Sequence, residues 1–115
     1  DIAIDPNLRR RVEARLSSLP RPVLAKTAWT TDAPFRETAT ALRLARAGGA
    51  DIVEMEAAAL YAFGQARGMP VVCLAQVTNG LAVTEHDFEK GAANGAQGAC
   101  EVIAAVADAA VHRLP

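Results

Sequence analysis

A chain of 115 residues has the length of one small domain, long enough to bury a core but short for a two-layer enzyme with its own cleft. Hydrophobic residues make up 51% of it and aromatics only 4%, an alanine-based, helix-rich composition that excludes a disordered polar chain. Twelve Lys and Arg against thirteen Asp and Glu leave a formal charge of −1, so no global field recruits nucleic acid or an anionic membrane surface. In chain order, Pro6 suits the first turn of a helix, and Leu8, Val12, Leu16 and Leu19 recur at helical spacing, which predicts an amphipathic helix over 6–18. Arg9-Arg10-Arg11 spread around that helix and read as a solvated face, not as a nucleic-acid arm.

Residues 22–29, from Pro22 to Trp29, read as a strand, and Thr30-Thr31-Asp32-Ala33-Pro34 supplies turn chemistry at its C-terminal end. Helix formers fill 37–47 up to a cap at Gly48-Gly49, and Asp51-Ile52-Val53 reads as a short buried strand. A helix over 57–67 ends at Gly68. The run 70–77 is apolar nearly throughout, as a strand covered on both faces should be, and 88–112 reads as a long C-terminal helix. This alternation predicts an α/β fold with mainly parallel strands and crossover helices, built as a single unit over 1–115.

Cys73 and Cys100 show neither metal-ligand spacing nor disulfide density and are expected as reduced, buried thiols. Apolar stretches fall short of the roughly 20 residues that cross a bilayer, and no signal-peptide pattern is present, so a cytoplasmic location without membrane partners is expected.

In open α/β sheets ligands bind beyond the C-terminal ends of strands, which directs attention to 30–36, 54–56 and 78–80. Glu54-Met55-Glu56 sets two carboxylates around a soft apolar side chain. A carboxylate there can accept both hydroxyls of a vicinal diol, although simple complementarity to the helix dipole, with Met55 as core filler, explains the same residues. Asn79 can hydrogen-bond a heterocycle or merely support the turn before Gly80. Glu85-His86-Asp87 point in different directions and read as a solvated loop, so no metal is expected. Gly91, Gly95 and Gly98 follow no strand directly and suit helix packing better than a dinucleotide fingerprint, and His112 suits a helix C-terminus.

The segment Ala50-Asp51-Ile52-Val53-Glu54-Met55-Glu56-Ala57-Ala58-Ala59-Leu60 resembles the ribose-binding segment of the nucleoside phosphorylase and nucleosidase superfamily. The resemblance implies that Met55 contacts ribose and that Glu56 holds its 2′ and 3′ hydroxyls, with Glu54 lining the same pocket. Trp29-Thr30-Thr31-Asp32-Ala33-Pro34-Phe35-Arg36-Glu37-Thr38 is similar to the family's base loop, which makes Phe35 the stacking aromatic. Arg36 beside it reads either as a contact to a base carbonyl or as a solvated or salt-bridged side chain. A third likeness is Leu74-Ala75-Gln76-Val77-Thr78-Asn79-Gly80 with Asp87-Phe88-Glu89-Lys90-Gly91. Asn79 stands where purine-cleaving bacterial relatives carry an Asp. The implied role is a catalytic amide that hydrogen-bonds the leaving base without protonating it, with Thr78 beside it as a substrate-binding residue.

The activity implied is pentosyl transfer in nucleotide salvage: cleavage of a nucleoside's N-glycosidic bond with phosphate as co-substrate and no metal or organic cofactor. Hydrolysis at the same site and a non-catalytic interaction module are the alternatives. The implied partners are a small-molecule nucleoside, phosphate and further copies of the chain in a homo-oligomer. The likeness covers the C-terminal half of the family's fold, downstream of the family's phosphate ligands, so the 115-residue chain taken alone is expected to be inactive.

Overall fold

The computed structural model describes residues 2–80 and 92–111. In order these form helix α1 (Pro6–Leu16), strand β1 (Ala28–Thr30), a 3-10 turn at Pro34–Arg36, helix α2 (Ala39–Ala47), strand β2 (Ile52–Glu54), helix α3 (Ala57–Arg67), a 3-10 turn at Ala92–Gly95, and helix α4 (Ala96–Val111). The fold is α/β, with β1 and β2 parallel and α2 as the crossover between them. Two compact units are present: Asp1–Asp5 with Leu24–Cys73, and Pro6–Val23 with Leu74–Pro115.

Local chemistry sets the ends of the elements in the first unit. Thr38 caps α2, its hydroxyl accepting the Ala41 N–H at 3.2 Å. Gly68 ends α3 in the left-handed region, at φ 63°, where its own N–H reaches back to the carbonyls of Gln65 and Gly64. Asp51 fastens the start of β2 to the residues before β1: its N–H donates to the Thr27 carbonyl at 2.8 Å, and its carboxylate accepts the Thr27 N–H and pairs with Lys26. The resulting register sets Ala28 beside Ile52, Trp29 beside Val53 and Thr30 beside Glu54.

In the second unit α1 packs on α4. Leu8, Val12 and Leu16, the stripe that the 3.6-residue period predicts, are buried, as is Ala109 of α4. Arg9 pairs with Glu13 at 2.7 Å on the exposed side. Both described glycines of the C-terminal region sit close to side chains: a Cβ at Gly95 would meet the Gln76 amide, and one at Gly98 would meet the Arg21 guanidinium.

Several expectations need correction. The strand expected over 22–29 pairs only at Ala28–Thr30, because its neighbour β2 offers just three residues of backbone. Residues 70–77 form no strand, and Leu74 to Val77 are exposed rather than covered on both faces. A β-branched apolar run satisfies a side-chain preference, but a strand also needs a partner edge in register. Here the Cys73 N–H donates to the Tyr61 hydroxyl at 3.3 Å instead. Cys100 is exposed, not buried, and Cys73 is half-buried; both are free thiols. The C-terminal helix proper starts at Ala96, and positions 88–91 and 112 of that expectation lie outside the described residues. Among the described residues no helix is long and apolar enough to cross a membrane.

Candidate functional site

Two parallel strands end side by side, so the loops leaving them begin as neighbours. In register, Thr30 and Glu54 project from the same face of the ribbon. The Thr30 hydroxyl donates to Oε1 of Glu54. Oε2 of Glu54 accepts the Glu56 N–H at 2.8 Å and the Ala57 N–H at 2.5 Å. The Thr30 oxygen in turn accepts the Ala58 N–H at 3.1 Å. The first amides of a helix have no intrahelical acceptor, and Glu54 and Thr30 between them satisfy three at the head of α3. Burial works to raise the Glu54 pKa, but the hydrogen bonds from Thr30, Ala57 and Glu56 outweigh it and hold the carboxyl below the usual glutamate value.

Glu56 occupies the N-cap position of α3 and makes no side-chain capping bond. Its exposed carboxylate forms no hydrogen bond or ion pair among the described residues. Met55 beside it is 41% exposed. The segment expected to grip a sugar therefore holds one carboxylate fully engaged by the protein and one presented to solvent, separated by an accessible thioether.

The loop after β1 starts from a fixed point. Thr31 is 3% exposed, its N–H donates to the Glu54 carbonyl at 2.9 Å, and its hydroxyl accepts the Ala33 N–H at 3.4 Å. Phe35, in the 3-10 turn that follows, is 84% exposed, so the ring has its face free for stacking. Arg36 pairs with Asp32 at 3.5 Å, which favours the salt-bridged reading of this side chain. Farther along the same unit, burial pushes the Cys73 thiol pKa up and the Glu54 charge adds to the effect. Both effects favour the thiol over the thiolate at this half-buried position.

Thr78 and Asn79 belong to the second unit, in a stretch without regular secondary structure. The Thr78 hydroxyl donates to the Asn79 side-chain carbonyl at 3.2 Å, and the NH2 is the remaining donor of that side chain. Glu85-His86-Asp87, Gly91 and His112 lie outside the described residues. Among the described residues no three His, Cys, Asp or Glu side chains gather as a metal site.

Sequence reasoning missed Thr30, which it assigned to turn chemistry. The signal available was positional: in a β-α-β unit the residues ending consecutive parallel strands become neighbours, and a hydroxyl and a carboxylate at those two places are natural partners.

A family model described as the Phosphorylase superfamily matches residues 1–111. No curated protein and no solved structure matches the chain.

Proposed function

The chain belongs to the phosphorylase superfamily, and from that premise we propose that it acts in cleaving the N-glycosidic bond of a nucleoside, with phosphate accepting the pentosyl group. Its parallel strands and crossover helix make a partial α/β fold of phosphorylase type. The observation that carries the proposal is the contrast between two carboxylates two residues apart. Glu54 spends its oxygens on Thr30 and the α3 amides, whereas Glu56 stands exposed beside the accessible Met55 with acceptors to offer.

On this reading Glu56 accepts the 2′ and 3′ hydroxyls of ribose while Met55 covers the sugar ring. Phe35 stacks on the base. As the glycosidic bond lengthens, positive charge develops on the sugar and negative charge on the leaving base. The Glu56 anion stabilises the first, and the Asn79 amide, oriented by Thr78, donates a hydrogen bond to the second. Phosphate attacks the anomeric carbon and the base departs with the bonding pair. Glu54 acts here from behind, holding the segment in place.

The test is Glu56→Gln in the full-length gene product, assayed with phosphate on a ribonucleoside and its 2′-deoxy counterpart. Replacing the anion by an amide removes charge-assisted bonds worth on the order of 1.5–3 kcal/mol, a loss of roughly one to two orders of magnitude in kcat/KM. The deficit is expected to be larger on the ribonucleoside, which has both hydroxyls. A lowered melting point with the sugar preference unchanged would instead identify Glu56 as a helix-dipole residue and end the ribose-binding reading.

A further inference from the structure

An N-cap residue ordinarily supplies the side-chain oxygen that accepts the N–H of the second or third helical residue. At the head of α3 the N-cap is Glu56, and the N–H of the second helical residue belongs to Ala58. That N–H goes to the Thr30 hydroxyl of the neighbouring strand, while Glu54 takes the N–H groups of Glu56 and Ala57. The capping duty has moved off the N-cap side chain onto two residues joined across the β1–β2 ribbon.

Resting on the ribose-binding reading of Glu56, we infer that Thr30 is a positioning residue that keeps the Glu56 carboxylate free for the sugar by occupying the amide that Glu56 would otherwise cap. A threonine hydroxyl has one proton and two lone pairs. Here the proton goes to Oε1 of Glu54, which turns Oε2 toward the Glu56 and Ala57 amides, and a lone pair receives the Ala58 N–H. Without the hydroxyl, the Ala58 amide is left without its acceptor, and on this inference the N-cap side chain, Glu56, takes it over. Glu56 then folds back onto its own helix and the diol loses its partner. Helix stability is largely preserved in that event, because one cap replaces another. Sugar recognition is not.

The experiment compares Thr30→Val, which keeps the shape and removes the hydroxyl, with Thr30→Ser, which restores it, alongside Glu56→Gln, all in the full-length gene product. Readouts are kcat/KM on a ribonucleoside and its 2′-deoxy counterpart, the melting temperature, and hydrogen exchange at the Ala58 amide. Thr30→Val is expected to lower ribonucleoside kcat/KM by roughly tenfold and to compress the ribose to deoxyribose ratio. Its melting point should stay close to that of the parent, and serine should recover the ratio. An unchanged ratio in Thr30→Val, with Glu56→Gln still compressing it, would overturn the inference and leave Thr30 a merely structural residue. An unchanged ratio in Glu56→Gln would remove the ribose reading first and the positioning role with it. If the valine variant does not fold, Thr30→Ala carries the same comparison, and failure of serine to recover its ratio would equally overturn the inference.

Discussion

Asn79 accepts the Thr78 hydroxyl at its carbonyl oxygen, and its NH2 remains as a donor. Asn79→Asp preserves that contact, since a carboxylate also accepts from Thr78, but it exchanges a fixed amide for a titratable acid. The expected outcome is a new ionisation in the pH profile of kcat/KM, or a shifted base preference, measured across purine and pyrimidine nucleosides. If both profile and preference match the parent, Asn79 has no part in handling the base. Glu54 and Glu56 make the complementary point. Two residues of the same type, one position removed from adjacency, differ in what they can offer a ligand because one meets three hydrogen-bond donors and the other meets none among the described residues.

Helix α3 depends on its first turn and on one glycine. The Glu54 carboxyl is depressed in the folded chain, so the unfolded chain takes up its proton more readily. Its contribution to stability is therefore complete above the unfolded glutamate value and is lost as pH falls through the depressed folded one. Melting curves taken from neutral pH into the acid range should fall more steeply for the parent than for Glu54→Gln, and parallel curves would assign the acid sensitivity to other groups. Gly64 is the only buried residue of α3, and a Cβ there would lie 2.5 Å from Val71 Cγ2 and 2.9 Å from the Met69 carbonyl oxygen. Inside an open helix Gly→Ala gains about 1 kcal/mol of propensity, whereas overpacking takes back about 1–3 kcal/mol. Backbone at Met69 cannot rotate aside, so Gly64→Ala is expected to lower the melting point; a raised one would show that 69–71 yields without penalty.

Helices α1, α2 and α3 were legible in the sequence because their signals are local: the Leu8, Val12, Leu16 stripe, the Gly48-Gly49 stop, the Gly68 stop. Strands were legible only in part: Asp51-Ile52-Val53 marked β2 to within a residue, but how far a strand extends is a relation between segments. The run 70–77 has strand composition and no strand partner, and β1 is cut to the three residues that β2 can match. The site divides the same way: Glu54-Met55-Glu56 was readable as a segment, but which carboxylate is free depends on a threonine 24 positions upstream.

At the scale of the whole molecule, the first unit is nearly one continuous stretch, Leu24–Cys73, while the second is assembled from pieces on either side of it. Contacts in the first unit close short loops, through one crossover helix and its caps. Those of α1 with α4 close almost the whole chain, the costlier event in loop entropy. The apolar stripe of α1 shows that a face is buried but not what buries it, so this pairing could not be read from the stripe alone. Membership of the phosphorylase superfamily spans both units, over residues 1–111. Phe35, Met55 and Glu56 lie in the first unit, and Thr78 and Asn79 in the second.

The cross-strand partnership of Thr30 with Glu54 has a consequence for anyone redesigning this protein. The hydroxyl at position 30 and the carboxylate at position 54 act together, so the pair behaves as one two-letter character. A combinatorial library that varies the positions singly would discard changes that remove either group, although a matched replacement of both could restore the partnership. Saturation of the two positions together is the search that can find new sugar specificities here.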